Sequence, residues 1–388
     1  MSDDRSAGPR PLDRLRDRVL ADARLQAELA PVPDGARLGE RLLALAAGEG
    51  IALEAADLAP LLRPDPLGIS AWSDSVPLRR AWPGADWLPV AVHDLPDGET
   101  MVDWAHFAAA RLSQPFFESA ILAAAARPFN RLFRYRMRLD DFVAAAAEQA
   151  LPEPDGFIFH MSRCGSTLVV RMLAALPESA IVSEAPPLGA VARRAAFDGA
   201  TDPAALLRAM VGAFGRRGGR PFVVKLDFWQ TLALPLYRRA FPAVPWLFLL
   251  RDPAEVLVSQ MERRGAETLP GMVPALGVDA AAPEPVQIVQ ALAGVCDAAA
   301  DAGATGGGLF VDYTDLPGAL FSAILPHFGI DPGAARPLVE GAAAADTKAQ
   351  SRPFEPDGSA KHSRADEEVR AAAARLVPVY QRLNALRR

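Results

Sequence analysis

Three cations follow short apolar runs: Arg163 after GFIFHM (156–161), Lys225 within PFVVKLD (221–227), and Arg251 closing WLFLLRD (246–252). Fixed positive charge at three independent strand ends reads as an anion site. The first cation lies in the turn Ser162-Arg163-Cys164-Gly165-Ser166-Thr167, which opens an apolar-periodic segment suited to a helix. Such a turn offers backbone N–H groups and the positive end of the helix dipole to a phosphate or similar oxyanion. Ser166 and Thr167 add hydroxyl donors. An ordinary capped helix would explain the glycine and hydroxyls but not the cations elsewhere. Lys225 weighs heavily, because only Lys225, Lys348 and Lys361 are lysines among 41 basic residues.

The turn departs from two well-known phosphate loops. A Walker A loop needs G-x-x-x-x-G-K-[ST], with its lysine on the β- and γ-phosphates. Here Ser166 follows Gly165, and His160 occupies the place of the first glycine. A cysteine phosphatase has Cys-x5-Arg, with the arginine six residues beyond its thiolate; Arg171 lies seven beyond Cys164, one residue too late, so Cys164 reads as a packed residue whose N–H matters. The five histidines, His93, His106, His160, His327 and His362, lack ligand spacing, and no metal site is expected. His160 reads as a core histidine.

Stepping from these residues to their supports, the runs 156–161, 221–227, 246–252 and 308–316 are short and apolar, as in strands covered on both faces. They alternate with helical stretches near 166–176, 231–241, 253–264 and 285–302. Strands alternating with helices predict a parallel α/β sheet with its ligand site at the strands' carboxyl ends. Residues 151–388 are therefore expected to form one P-loop-like α/β domain. Residues 1–150 are expected to form a mostly helical accessory region, with helices in 12–63, around 102–126 and around 139–148. A Pro/Trp-rich segment, 63–98, reads as irregular but packed, its Trp72, Trp82 and Trp87 serving packing rather than a sugar platform.

The net charge of −6 argues against general nucleic-acid binding. Cys164 and Cys296 are far apart, which suggests no disulfide framework and a cytoplasmic setting. The N-terminus has no apolar core like that of a signal peptide, and no run reaches the ~18 apolar residues of a membrane span.

SRCGSTL resembles the 5′-phosphosulfate loop of the sulfotransferase superfamily, and RDPAEVLVS, with Ser259 eight residues after Arg251, resembles its 3′-phosphate motif. The resemblance covers about 156–388, and its spacing is closer to the tyrosylprotein-sulfotransferase-like branch. It implies a P-loop NTPase-like sheet flanked by helices, and PAPS (3′-phosphoadenosine 5′-phosphosulfate) as co-substrate without a metal. Arg163, Cys164, Gly165, Ser166, Thr167, Arg251, Ser259 and Tyr313 would bind the nucleotide. Glu184 in IVSEAPP matches the base, and Lys225 faces the transferred group; Arg163 joins them in catalysis. Glu184 is expected to have a raised pKa from partial burial, with helix capping near Pro186 as its other reading. Met161 replaces the loop's leading proline, and the cytosolic branch's C-terminal Gly-rich motif is absent; Ser351 and Lys361 are candidate substitutes. The acceptor is a hydroxyl on a small molecule or peptide. The first 150 residues could shape its pocket, recruit a carrier protein or make a dimer. An ATP-dependent P-loop kinase and a non-catalytic nucleotide-binding protein are the alternatives.

Overall fold

Strands β1 (Leu78–Arg79), β2 (Trp87–Asp94), β3 (Thr100–His106) and β4 (Tyr135–Arg138) form a sheet in the order β1-β4-β3-β2. The computed structural model describes residues 10–63, 76–108, 110–343 and 358–387. The sheet belongs to one of two compact units, composed of Met1–Ala110 and Glu118–Ala150, together with the helices Pro11–Leu20, Ala23–Leu29, Gly35–Gly48, Ala55–Leu62 and Leu139–Ala147.

This sheet corrects the expectation of an irregular 63–98 over its described residues 76–98, and that of a helix beginning near 102; residues 64–75 lie outside the described residues. Pro89 made the segment look broken, but β2 is an edge strand and its register shifts between Pro89 and Ala91, a place where a strand tolerates proline. The pairing of β3 with β4 is fixed from afar: the Arg136 guanidinium donates to both carboxylate oxygens of Asp103, at 2.6 and 2.9 Å. Trp82 stacks on Phe142 at 4.9 Å, and the indole of Trp87 donates to Gln26 Oε1 at 2.9 Å. Both are packing residues. Trp72 lies outside the described residues.

The second unit, Arg111–Phe117 and Leu151–Arg388, is built on a five-stranded parallel sheet. Its strands are β5 (Gly156–His160), β6 (Ala180–Ser183), β7 (Phe222–Lys225), β8 (Trp246–Leu250) and β9 (Gly308–Asp312), ordered β6-β7-β5-β8-β9. Every residue of β5, β6, β7 and β8 is buried, which accounts for their unbroken apolar runs. Helices Ser166–Ala174, Pro253–Glu262 and Glu284–Ala304 alternate with the strands near the expected positions. Strand β6, only four residues long, was not foreseen. The chain returns on both sides of β5, so the crevice beyond its carboxyl end is where an open α/β sheet binds ligands. Among the described residues no helix is long and apolar enough to cross a membrane.

Candidate functional site

The turn after β5 adopts a backbone that its sequence would not choose freely. Ser162 (φ 68°), Arg163 (φ 51°) and Glu184 (φ 49°) are left-handed, three of the five such non-glycine residues among those described. Each costs on the order of 1–2 kcal/mol, and such strain gathers where function needs it. Gly165 (φ 85°) begins the helix Ser166–Ala174, with no side chain capping it. A Cβ there would stand 2.8 Å from Leu316 and 2.9 Å from Tyr313, so the turn requires glycine for space as well as conformation.

Distant residues hold the turn. Gln260, fully buried, donates through Nε2 to Ser162 Oγ at 3.0 Å and accepts from the Gly265 N–H at 2.8 Å. The Arg163 guanidinium donates to the Arg263 carbonyl. Cys164 is fully buried, and burial pushes its thiol up to about 12, so it carries no thiolate.

Arg251, at the end of β8, is 4% exposed. Its Nε donates to Glu255 Oε2 at 2.6 Å, its Nη1 donates to the Arg163 carbonyl at 3.4 Å, and its guanidinium lies 3.7 Å from the centre of the Tyr313 ring. Tyr313 thus lies close to both the Gly165 turn and the Arg251 guanidinium. The ion partner is Glu255 rather than the adjacent Asp252, which caps the helix Pro253–Glu262 by accepting from Ala254 and Glu255 N–H. Ser259, on that helix, keeps its hydroxyl buried without a hydrogen-bond partner. A buried hydroxyl without a partner is the kind of group that a bound anion would complete.

The catalytic candidates meet on the other side of β5. Lys225 ends β7 and is 1% exposed, with its ammonium paired to Glu184 Oε1. The Phe116 ring lies over it, 5.6 Å away. Glu184 follows β6, and its N–H continues the ladder to the Lys225 carbonyl at 2.8 Å. His160 Nε2 stands 3.4 Å from the same carboxylate and 3.0 Å from the Leu226 carbonyl. His160 Nδ1 accepts from the Ser162 N–H at 3.0 Å, so the proton belongs on Nε2. Burial and the Lys225 ammonium lower its pKa, which keeps the ring neutral.

The expected raised pKa of Glu184 is overturned. Burial pushes the carboxyl up, but Lys225 and then His160 together outweigh it and hold the group down at about 2. Nor does Glu184 cap the next helix, whose N-cap is Ala185 with no side-chain bond. Sequence reasoning missed the carboxyl that is pushed the other way. Asp227, two residues beyond Lys225, is raised to about 7 by burial and by the charges of Glu184 and Glu267. Its place after a buried strand lysine was the available signal.

Ser166 is buried and Thr167 half-buried at the helix start. Lys361 is buried in the helix Gly358–Arg364; its neighbour His362 stands 3.4 Å from Glu255 Oε1, and Ser351 lies outside the described residues. Asp252, Glu255 and His362 form the one described group with metal-ligand spacing, but helix capping and Arg251 already engage its two carboxylates.

No protein-family model matches the chain, and no curated protein matches it. Among solved structures, a sulfotransferase from Alicyclobacillus acidocaldarius is similar at 17% identity and a TM-score of 0.35, over 61% of this chain and 96% of that one.

Proposed function

We propose that the protein is a cytoplasmic sulfotransferase that moves a sulfuryl group from PAPS to a hydroxyl acceptor. The observation that carries the reading is the set of cationic strand ends: Arg163 after β5, Lys225 on β7 and Arg251 after β8, together with the buried, partnerless Ser259 hydroxyl on the helix that follows β8. Arg251 and Ser259 would hold the 3′-phosphate, and the uncapped helix start at Gly165, Ser166 and Thr167 would hold the 5′-phosphosulfate. Cys164 would contribute its N–H. Tyr313 would keep Arg251 in place from below. PAPS supplies an activated sulfuryl group whose departure leaves charge on a phosphate oxygen, and Lys225 and Arg163 are the groups able to stabilise it.

Glu184 is the proposed base. In the resting site its carboxylate is neutralised by Lys225, so it binds a proton weakly. An anion that draws the Lys225 ammonium toward itself leaves Glu184 with burial as its dominant influence, and burial favours the protonated form. Loading of the donor thus switches on the base, and the two events are coupled through one lysine.

The test compares thermal shifts in adenosine 3′,5′-bisphosphate and in ATP with magnesium. A ligand bound only by the native state at 100 times its Kd stabilises by about 2.7 kcal/mol. The bisphosphate should raise Tm in wild type and not in Arg251→Ala, whereas ATP with magnesium should shift neither. A shift with ATP-magnesium alone would favour a kinase. Binding of the bisphosphate with no transfer to any acceptor would leave a non-catalytic nucleotide-binding protein.

A further inference from the structure

Glu184 and Asp227 leave the carboxyl ends of neighbouring strands, with Ser183 of β6 opposite Lys225 of β7 in the ladder. Asp227 precedes the 3₁₀ turn Phe228–Ala233 yet does not cap it. Its carboxylate has one described hydrogen bond, a long one at 3.5 Å from Gln230 Nε2, and Gln230 is itself buried and accepts from the Tyr237 hydroxyl at 2.6 Å. Across from it the helix Pro186–Phe197 presents Gly189, whose missing Cβ would lie 3.7 Å from Asp227 Oδ2. The charged and titratable groups acting on Asp227 are Glu184, Glu267, Lys225 and Tyr237. One lysine serves this region, and Glu184 already engages it. Two half-buried carboxylates near each other ionise together less readily than either would alone.

We propose that Glu184 and Asp227, which follow the ends of the neighbouring strands β6 and β7, act as an electrostatically coupled carboxyl pair, with Asp227 the positioning residue that sets how readily Glu184 takes the acceptor's proton. The inference rests on the sulfuryl-transfer reading. In that step the acceptor oxygen forms its bond to sulfur and its proton passes to Glu184. The bond from sulfur to the bridging phosphate oxygen breaks, and its electron pair leaves with the phosphate. An ionised Asp227 beside Glu184 raises that carboxylate's affinity for the proton; a protonated Asp227 does not. Since burial and its acidic neighbours raise Asp227 to about 7, turnover should climb as pH rises through neutrality.

The experiment uses the full chain with ¹³Cγ-labelled aspartate, the Asp227 signal being assigned by its loss in Asp227→Asn. Wild type should show this signal titrating near neutrality, and Glu184→Gln should lower its midpoint by at least about one pH unit. In parallel, slow sulfuryl transfer from PAPS to water is followed against pH. The limb near neutrality should vanish in Asp227→Asn, return in Asp227→Glu, and leave the affinity for adenosine 3′,5′-bisphosphate within about twofold, since Asp227 is not placed on the nucleotide. Titration in the ordinary carboxylate range, indifference to Glu184→Gln, or a limb that survives Asp227→Asn would overturn the pair. If wild type transfers no sulfuryl group while the NMR coupling is present, the carboxyl pair stands and the reaction assigned to it falls.

Discussion

Lys225→Met removes the ammonium that makes a buried Glu184 affordable. The carboxyl sits at about 2 against an ordinary 4.5, and a gap of about 2.5 at about 1.4 kcal/mol each amounts to about 3 kcal/mol. Because the folded value lies below the unfolded one, that stability is present above pH 4.5 and is lost as pH falls through 2. With only 1% of Lys225 and 20% of the Glu184 side chain exposed, water offers little screening, and leaving the carboxylate unpaired should cost about 3–5 kcal/mol at pH 7. Near pH 4 the loss should shrink, because an unpaired Glu184 escapes by taking a proton. Adding Glu184→Gln to Lys225→Met should recover most of the deficit at pH 7. Hydrogen exchange in urea, read at the amides of β5 and β7 for the four members of the double-mutant cycle, reports this locally. A coupling energy of about 3 kcal/mol at pH 7 is expected. A coupling below about 0.5 kcal/mol, or a loss equal at pH 4 and pH 7, would refute the reasoning.

Two further outcomes follow from the turn. Gly165→Ala puts a Cβ within 2.9 Å of Tyr313 at φ 85°, so the turn must move; stability should fall by about 2 kcal/mol or more, and bisphosphate binding by calorimetry should be lost. Cys164 and Cys296 are both buried, and the Cys164 thiol lies at about 12. Neither should react with a thiol reagent in the native protein at pH 8, while both should react in urea.

The parallel sheet was legible because β5, β7 and β8 are buried on both faces, and that condition writes itself as an apolar run. The sheet β1-β4-β3-β2 was not, because its evidence is non-local. Nothing within TMVDWAH announces that Asp103 will meet Arg136, and Pro89 looks like a breaker until its edge position is known. In the site, residue types and spacing led to Arg163, Glu184, Lys225 and Arg251, and the fold does bring Glu184 to Lys225 and Arg251 to the Arg163 carbonyl. What one dimension could not supply was charge state. Burial alone predicts a raised Glu184; the lysine brought 41 residues along the chain to its carboxylate reverses the sign.

That reversal also explains why a second carboxyl matters. If Lys225 stabilises charge leaving on a phosphate oxygen, as proposed, it also disables Glu184 as a neighbouring base, so one cation cannot serve both groups at once. On that proposal the competition is resolved only if the donor takes the ammonium at the moment the base is needed. It is sharpened if another negative charge stands ready to raise that base's proton affinity. Asp227, lifted to about 7 by the same burial, is ionised over part of the physiological range and neutral over the rest. Keeping it there works against folding: stability is lost as pH rises from 3.8 through 7, by up to about 4 kcal/mol from a gap of about 3. A carboxylate that opposes the fold at working pH, held by one long hydrogen bond and facing a bare glycine, is the kind of residue a stability-optimised sequence would replace. Its place two residues from Lys225 ties that cost to the proposed anion site.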